Sequence, residues 1–116
     1  MSEINNTCEL NFTCLLTDDN NGRIKFICRE NGNTFVYSVR DDTSINELKY
    51  LLKHNQYMLD VFPEFIEDSL NDIKSYSNSS NVKINREYII DDDIYSDILK
   101  ESFVESIEPY FEAFEN

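Results

Sequence analysis

Glycine and proline are scarce in this chain, two of each in 116 residues. No glycine-rich loop is therefore available to cradle a phosphate, and G-x-G-x-x-G, P-loop and G-x-S-x-G patterns are all missing. The single histidine, His54, excludes an H-E-x-x-H zinc site, and any Ser-His or Cys-His nucleophile system would have to run through it. His54 falls at the end of a predicted helix, where the dipole favours a cation, so a structural role is expected of it. No apolar run approaches the roughly 18 residues that span a bilayer. Met1 to Asn6 is polar and acidic, without the charged and apolar regions of a signal peptide. The three cysteines, Cys8, Cys14 and Cys28, are odd in number and form no C-x-x-C, which fits a reducing compartment. The expected location is the cytoplasm.

Positive charge is also in short supply. Ten Lys and Arg stand against 23 Asp and Glu, a net charge of −13. Solubility alone asks for a magnitude of about 2–8 in a small domain, and the excess destabilises the compact state by self-repulsion. Direct binding to nucleic acid or to a membrane surface is disfavoured, since both need Lys and Arg. The charge is one-sided: residues 1–59 carry −2 and residues 60–116 carry −11.

What is present is enough for one core. Hydrophobic residues make up 41% and aromatics 13%, and a chain of this length buries about two-thirds of its unfolded surface. A single domain over 1–116 is expected, of the α+β class. Cys8, Leu10, Phe12, Cys14 and Leu16 alternate with polar residues, as do Ile24, Phe26 and Cys28, then Phe35, Tyr37 and Val39. With Asn31-Gly32 as a type I′ turn, these predict a three-stranded antiparallel meander over 7–40. Ser44 and Glu47 form a capping box for a first helix with Ile45, Leu48, Leu51 and Leu52 inward. Pro63 is expected in the first turn of a second helix that buries Ile66, Leu70 and Ile73. Residues 82–90 predict a fourth strand whose pattern Arg86 interrupts. A C-terminal helix follows, with Phe103 and Ile107 inward and a kink or restart at Pro109. The helices are expected on one face of the sheet.

Candidate sites are weighed against plain structural roles. Asp91, Asp92 and Asp93, with Asp97 a turn later, resemble a Ca²⁺ or Mg²⁺ cluster only loosely. Ser96 and Ser102 stand where an EF-hand needs its glycine and its bidentate glutamate, so the aspartates read as a helix cap. The cysteines lie on inward strand faces, where thiols pack as small apolar groups. Arg23, Lys25, Arg29 and Arg40 form a basic patch on the outer face of the meander. No cofactor, no metal and no catalytic residue is expected; the chain reads as a binding protein rather than an enzyme.

The strongest candidate surface is acidic: Glu64, Glu67, Asp68 and Asp72 on the second helix, with Asp91, Asp92, Asp93, Tyr95 and Asp97 before the last. Tyr76, Tyr88, Tyr95 and Tyr110 lie among the acids, and tyrosine is enriched at binding hot spots. In size, acidity and want of a catalytic motif the chain looks like the immunity proteins of bacterial toxin systems. That likeness is one of class, carried by Glu64-x-x-Glu67-Asp68 and Asp91-Asp92-Asp93, and it implies an inhibitor of a basic, nuclease-type toxin. The alternatives are a phage-encoded mimic of nucleic acid acting against restriction or CRISPR enzymes, and a small metal-binding module or enzyme using Asp91, Asp93 and Asp97. A homo-oligomer that buries the Phe103–Phe114 stretch is a further reading.

Overall fold

The computed structural model describes residues 7–74, 81–91 and 97–115. Strands β1 (Thr7–Asp18), β2 (Arg23–Glu30) and β3 (Asn33–Arg40) form the antiparallel meander. The alternation sorts the side chains: Leu10, Phe12, Cys14, Leu16, Ile24, Phe26, Cys28, Phe35 and Val39 are buried, and Arg23, Arg29, Thr34 and Arg40 are exposed. Asn31 and Gly32 both take positive φ, 44° and 94°, which a type I′ turn requires. In the first turn, Asn20 and Asn21 donate their backbone N–H groups to the Asp18 and Asp19 carboxylates at 2.9 and 2.8 Å.

Helices α1 (Ile45–His54) and α2 (Gln56–Lys74) carry the chain back to the end of the sheet where β1 begins. Strand β4 (Asn81–Ile90) therefore joins parallel to β1, giving the order β3-β2-β1-β4. The sheet is mixed rather than wholly antiparallel, and β1 becomes an interior strand. Helix α3 (Asp97–Glu112) follows. The inward column of the sheet and the apolar faces of the three helices share one core, in which Phe62 meets Phe26 at 5.4 Å and Phe111 at 5.6 Å between ring centroids. Cys14 and Cys28 are free, buried and directly opposed, with Sγ atoms 3.4 Å apart. Their mutual contact and burial push the Cys28 thiol up, keeping it protonated and inert. The side chain of Cys8 lies outside the described residues.

The Ser44 cap forms: its Oγ accepts the Glu47 N–H at 3.1 Å, and its hydroxyl donates to the Glu47 carboxylate at 3.1 Å, in place of the backbone N–H bond of a full capping box. Two expectations about proline are corrected. Asn55, not Phe62, precedes α2; its Oδ1 accepts the Tyr57 N–H at 2.8 Å, so Pro63 stands inside the helix. Helix α3 likewise runs through Pro109 to Glu112, so of the kink or restart expected there the restart does not occur. An interior proline costs about 3 kcal/mol. Fully buried Met58, Phe62 and Ile66 flank Pro63 at four-residue steps, and Phe103, Ile107 and Phe111 flank Pro109. Each such side chain contributes about 1.5–3 kcal/mol of burial, so packing outweighs the lost bond.

Arg86, the outlier of the β4 pattern, points inward. Its guanidinium grips the Glu108 carboxylate through Nε at 2.9 Å and Nη2 at 2.7 Å, reaches Glu115 at 2.6 Å through Nη1, and lies 5.5 Å from the Phe111 ring centroid. The Tyr88 hydroxyl donates to the same carboxylate. Arg86 holds the Glu108 carboxyl below its ordinary value of 4.5, against the opposing effect of burial. Only 14% of the Arg86 side chain and 26% of the Glu108 side chain reach solvent, so removing one partner strands the other. Arg86→Met is expected to lower stability by about 3 kcal/mol, read from urea unfolding at neutral pH. A depressed carboxyl stabilises the fold above 4.5, and that contribution is lost as the pH falls below it. The variant should lose this acid-sensitive contribution, and a change within about 0.5 kcal/mol at neutral pH would show that the contact does not close α3 on β4.

Candidate interaction surface

Helix α2 turns its burial side, Met58, Phe62, Ile66 and Leu70, to the core. At 100° per residue its opposite side carries Glu64, Glu67, Asp68 and Asp72, all exposed. The four carboxylates do not act as one block. Glu67 falls toward α3, Glu64 points straight away from the core, and Asp68 and Asp72 turn toward β3. Asp72 accepts a hydrogen bond from Asn33 Nδ2 at 3.3 Å, beside the β2–β3 turn.

Between α2 and α3 lies a groove of about 460 Å³, floored by Leu59, Pro63, Pro109, Tyr110, Ala113 and Phe114, with Lys53 and Ser106 at its margin. Both prolines of the chain line it. Neither can donate the N–H that a helix directs to the carbonyl four residues back, at Leu59 and Glu105. Leu59 is 44% exposed, an uncovered aliphatic at the groove's mouth. By helical position, Asp60 and Glu67 edge one wall with Glu64 outside them, and Glu105 and Glu112 stand beyond the other; all five are exposed, and Lys53 is the charged residue that lines the groove itself. Lys49 pairs with Glu105 at 3.2 Å, and Gln56 Nε2 donates to Asp60 at 2.7 Å. The result is an apolar trough between two acidic rims.

The remaining predicted residues fall elsewhere. Asp91, at the end of β4, donates its N–H to the Leu16 carbonyl at 3.0 Å and accepts the Thr17 hydroxyl at 3.1 Å. That corner is on the β4 edge, and α2 packs over β1 and β3. The edges of a four-stranded sheet are about 14 Å apart, so Asp91 and Asp72 do not share a patch. Asp92, Asp93, Tyr76 and Tyr95 lie outside the described residues, as does the side chain of Asp97. Among the described residues, no group of three or more His, Cys, Asp or Glu is placed to hold a metal ion.

Two tyrosines expected as partner anchors are engaged within the fold. Tyr88 serves Glu108, and the Tyr110 hydroxyl donates to the Leu52 carbonyl, with burial pushing Tyr110 up to about 12. Of the Phe103–Phe114 stretch expected as a face for self-association, Phe103, Ile107 and Phe111 are buried in the core, and Pro109, Ala113 and Phe114 line the groove. A helix start at Pro63 leaves Leu59 and Asp60 outside α2, and Glu105 and Glu112 gain a place beside the groove only from the packing of α3 against α2. The four-residue step from Met58 to Phe62 to Ile66 was the signal that placed Leu59 and Pro63 together on a helix face.

Glu30, at the far end of β2, is the one buried acidic residue among the described residues. It shares a small pocket with Asn31, Asn33, Ser69 and Asp72. Burial, then the nearby Asp72 charge, push its carboxyl above the ordinary value of 4.5. A raised carboxyl favours the fold in its protonated form, so the ionised form is a liability above the raised value. That liability disappears as the pH falls toward 4.5. Glu30→Gln is therefore expected to raise the urea midpoint at pH 7 and to match the parent chain in acid below 4.5. An equal or lower midpoint at pH 7 would show that the ionised carboxylate is well accommodated.

Comparison with protein-family models, with curated proteins and with solved structures finds no match to this chain.

Proposed function

We propose that this chain is an acidic protein-binding inhibitor whose partner is a basic protein, with a nuclease-type toxin as the target class. The observation that supports this reading is the α2–α3 groove, an apolar trough held between carboxylates at Asp60, Glu64, Glu67, Glu105 and Glu112. A partner segment with an apolar side chain between Lys or Arg residues fits such a trough. The apolar group enters over Pro63, Pro109 and Phe114, and its cationic flanks meet the rims. An enzyme that acts on nucleic acid presents cations in its cleft because its substrate is anionic. Carboxylates on a rigid helix occupy the positions that phosphates would take, and the cleft is closed to substrate.

The long-range field and the groove have separable effects. Opposite charge raises association rates by about 10- to 1,000-fold at low salt, and buried apolar contact slows dissociation. With the basic protein retained from host lysate and then purified, Glu64→Lys with Glu67→Lys is expected to slow association at least about 10-fold at low ionic strength. That difference should shrink at high salt. Ala113→Trp, which fills the exposed groove, is expected to speed dissociation and leave the association rate nearly unchanged. Surface plasmon resonance separates the two rates. Wild-type kinetics in both variants would remove this surface from the binding site.

A further inference from the structure

Four aliphatic side chains cross the sheet on the face turned away from the core. Leu15 pairs with Ile27 and Ile27 with Val36, while Leu15 pairs on its other side with Ile89. The four form one row at one register, spanning β3, β2, β1 and β4. Val36 and Ile89, on the edge strands, are each 42% exposed, and Leu15 and Ile27 are half-buried between them. Alternation normally leaves the solvated face of such a sheet polar, and this row departs from that rule on every strand.

The charges on the same face are divided. The outward positions of β2 and β3 carry Arg23, Lys25, Arg29 and Arg40, with Lys25 near Asp19 and Arg40 near Asp42. The outward positions of β1 and β4 carry Glu9, Glu87 and the terminal Asp91, against one base, Lys83. A twofold axis parallel to the strands, between two copies stacked face to face, reverses the strand order. It lays the row of one copy on the row of the other, and the basic half of each sheet over the acidic half of its mate. A twofold axis across the strands would oppose β2 to β2 and set base against base.

We propose that this face is the contact surface of a homodimer, with a second copy of the chain as its occupant and the two sheets stacked row on row. The interface is isologous, since the same patch serves both copies. Four strands of eight residues present about 500 Å² each, or about 1,000 Å² in all, at the low end of specific interfaces, so the dimer is reversible. The net charge of −13 opposes association. The acidic helices lie on the outer sides of the pair, however, farther apart than the sheet spacing of about 10 Å and beyond a Debye length of about 8 Å. The α2–α3 groove stays open in this dimer, so the proposal stands apart from the inhibitor reading.

Sedimentation velocity of the purified chain, from low micromolar to about 1 mM at physiological salt, tests it. The expected result is a species of twice the chain mass that grows with concentration. Ile27→Lys, and independently Val36→Lys on the edge strand, should raise the dissociation constant at least about 10-fold with the far-ultraviolet spectrum unchanged. Glu87→Arg should weaken the dimer, and Arg29→Glu added to it should restore part of the loss. A monomer throughout the range overturns the proposal, as does a dimer indifferent to both lysine substitutions. A monomer whose lysine variants lose a different protein partner assigns the face to that partner and overturns the dimer as well.

Discussion

The fold depends on β1 being paired along both edges. β2 pairs with it over Thr13–Asp18 and β4 over Thr7–Leu16, and its inward side chains Leu10, Phe12, Cys14 and Leu16 are all but fully buried. The meander supplies β2, and β4 supplies the second neighbour in parallel register from Thr7 with Asn81 to Leu16 with Ile90. Because a parallel partner has to enter from the same end, the segment after β3 is committed to crossing back over the sheet as helix. The single helix layer, the phenylalanine core beneath it and the position of α3 all follow from that crossing. Arg86 then ties β4 to the end of α3 through Glu108 and Glu115.

That arrangement also sorts the charge. The near-neutral meander furnishes the outer face of the sheet, and the helix layer carries most of the −11 of the second half. The two faces have different chemistry: an apolar trough with acidic rims on the helix side, and an aliphatic row between basic and acidic halves on the sheet side. Helix prolines, which weaken the helices locally, occur only where the trough is formed. Packing on the opposite sides of α2 and α3 makes this tolerable, since Phe62 and Phe111 hold both helices to the sheet from beneath.

Much of the fold was legible in the sequence because its signals are local. Strict alternation in Leu10 to Leu16, the Asn31-Gly32 pair and the Ser44–Glu47 cap each act over a few residues, and each takes the form that local chemistry predicts. The parallel placement of β4 was not legible, because strand order depends on contacts distant in sequence. The strand itself was legible at 82–90, but the reason for Arg86 in its inward column was not, because its carboxylate partners lie 22 and 29 residues away. Pro63 and Pro109 misled for the converse reason: their local preference is strong, and tertiary packing overrides it. The acidic surface was visible as composition but not as geometry, since helical rotation separates Glu64 and Glu67 from Asp72. The outer row escaped notice because Leu15, Ile27, Val36 and Ile89 are solitary aliphatics that become a stripe only in register.

The proposed binding surface for a basic partner is the helix side of the molecule, and not the sheet side. Amide hydrogen exchange on the chain, alone and saturated with the basic protein that it retains from its native lysate, tests this most directly. Binding on the helix side adds protection along α2 near Leu59 to Asp68 and along α3 near Pro109 to Phe114 and leaves β2 and β3 unchanged. Added protection confined to the strands, or none on either helix in a saturated complex, would contradict it.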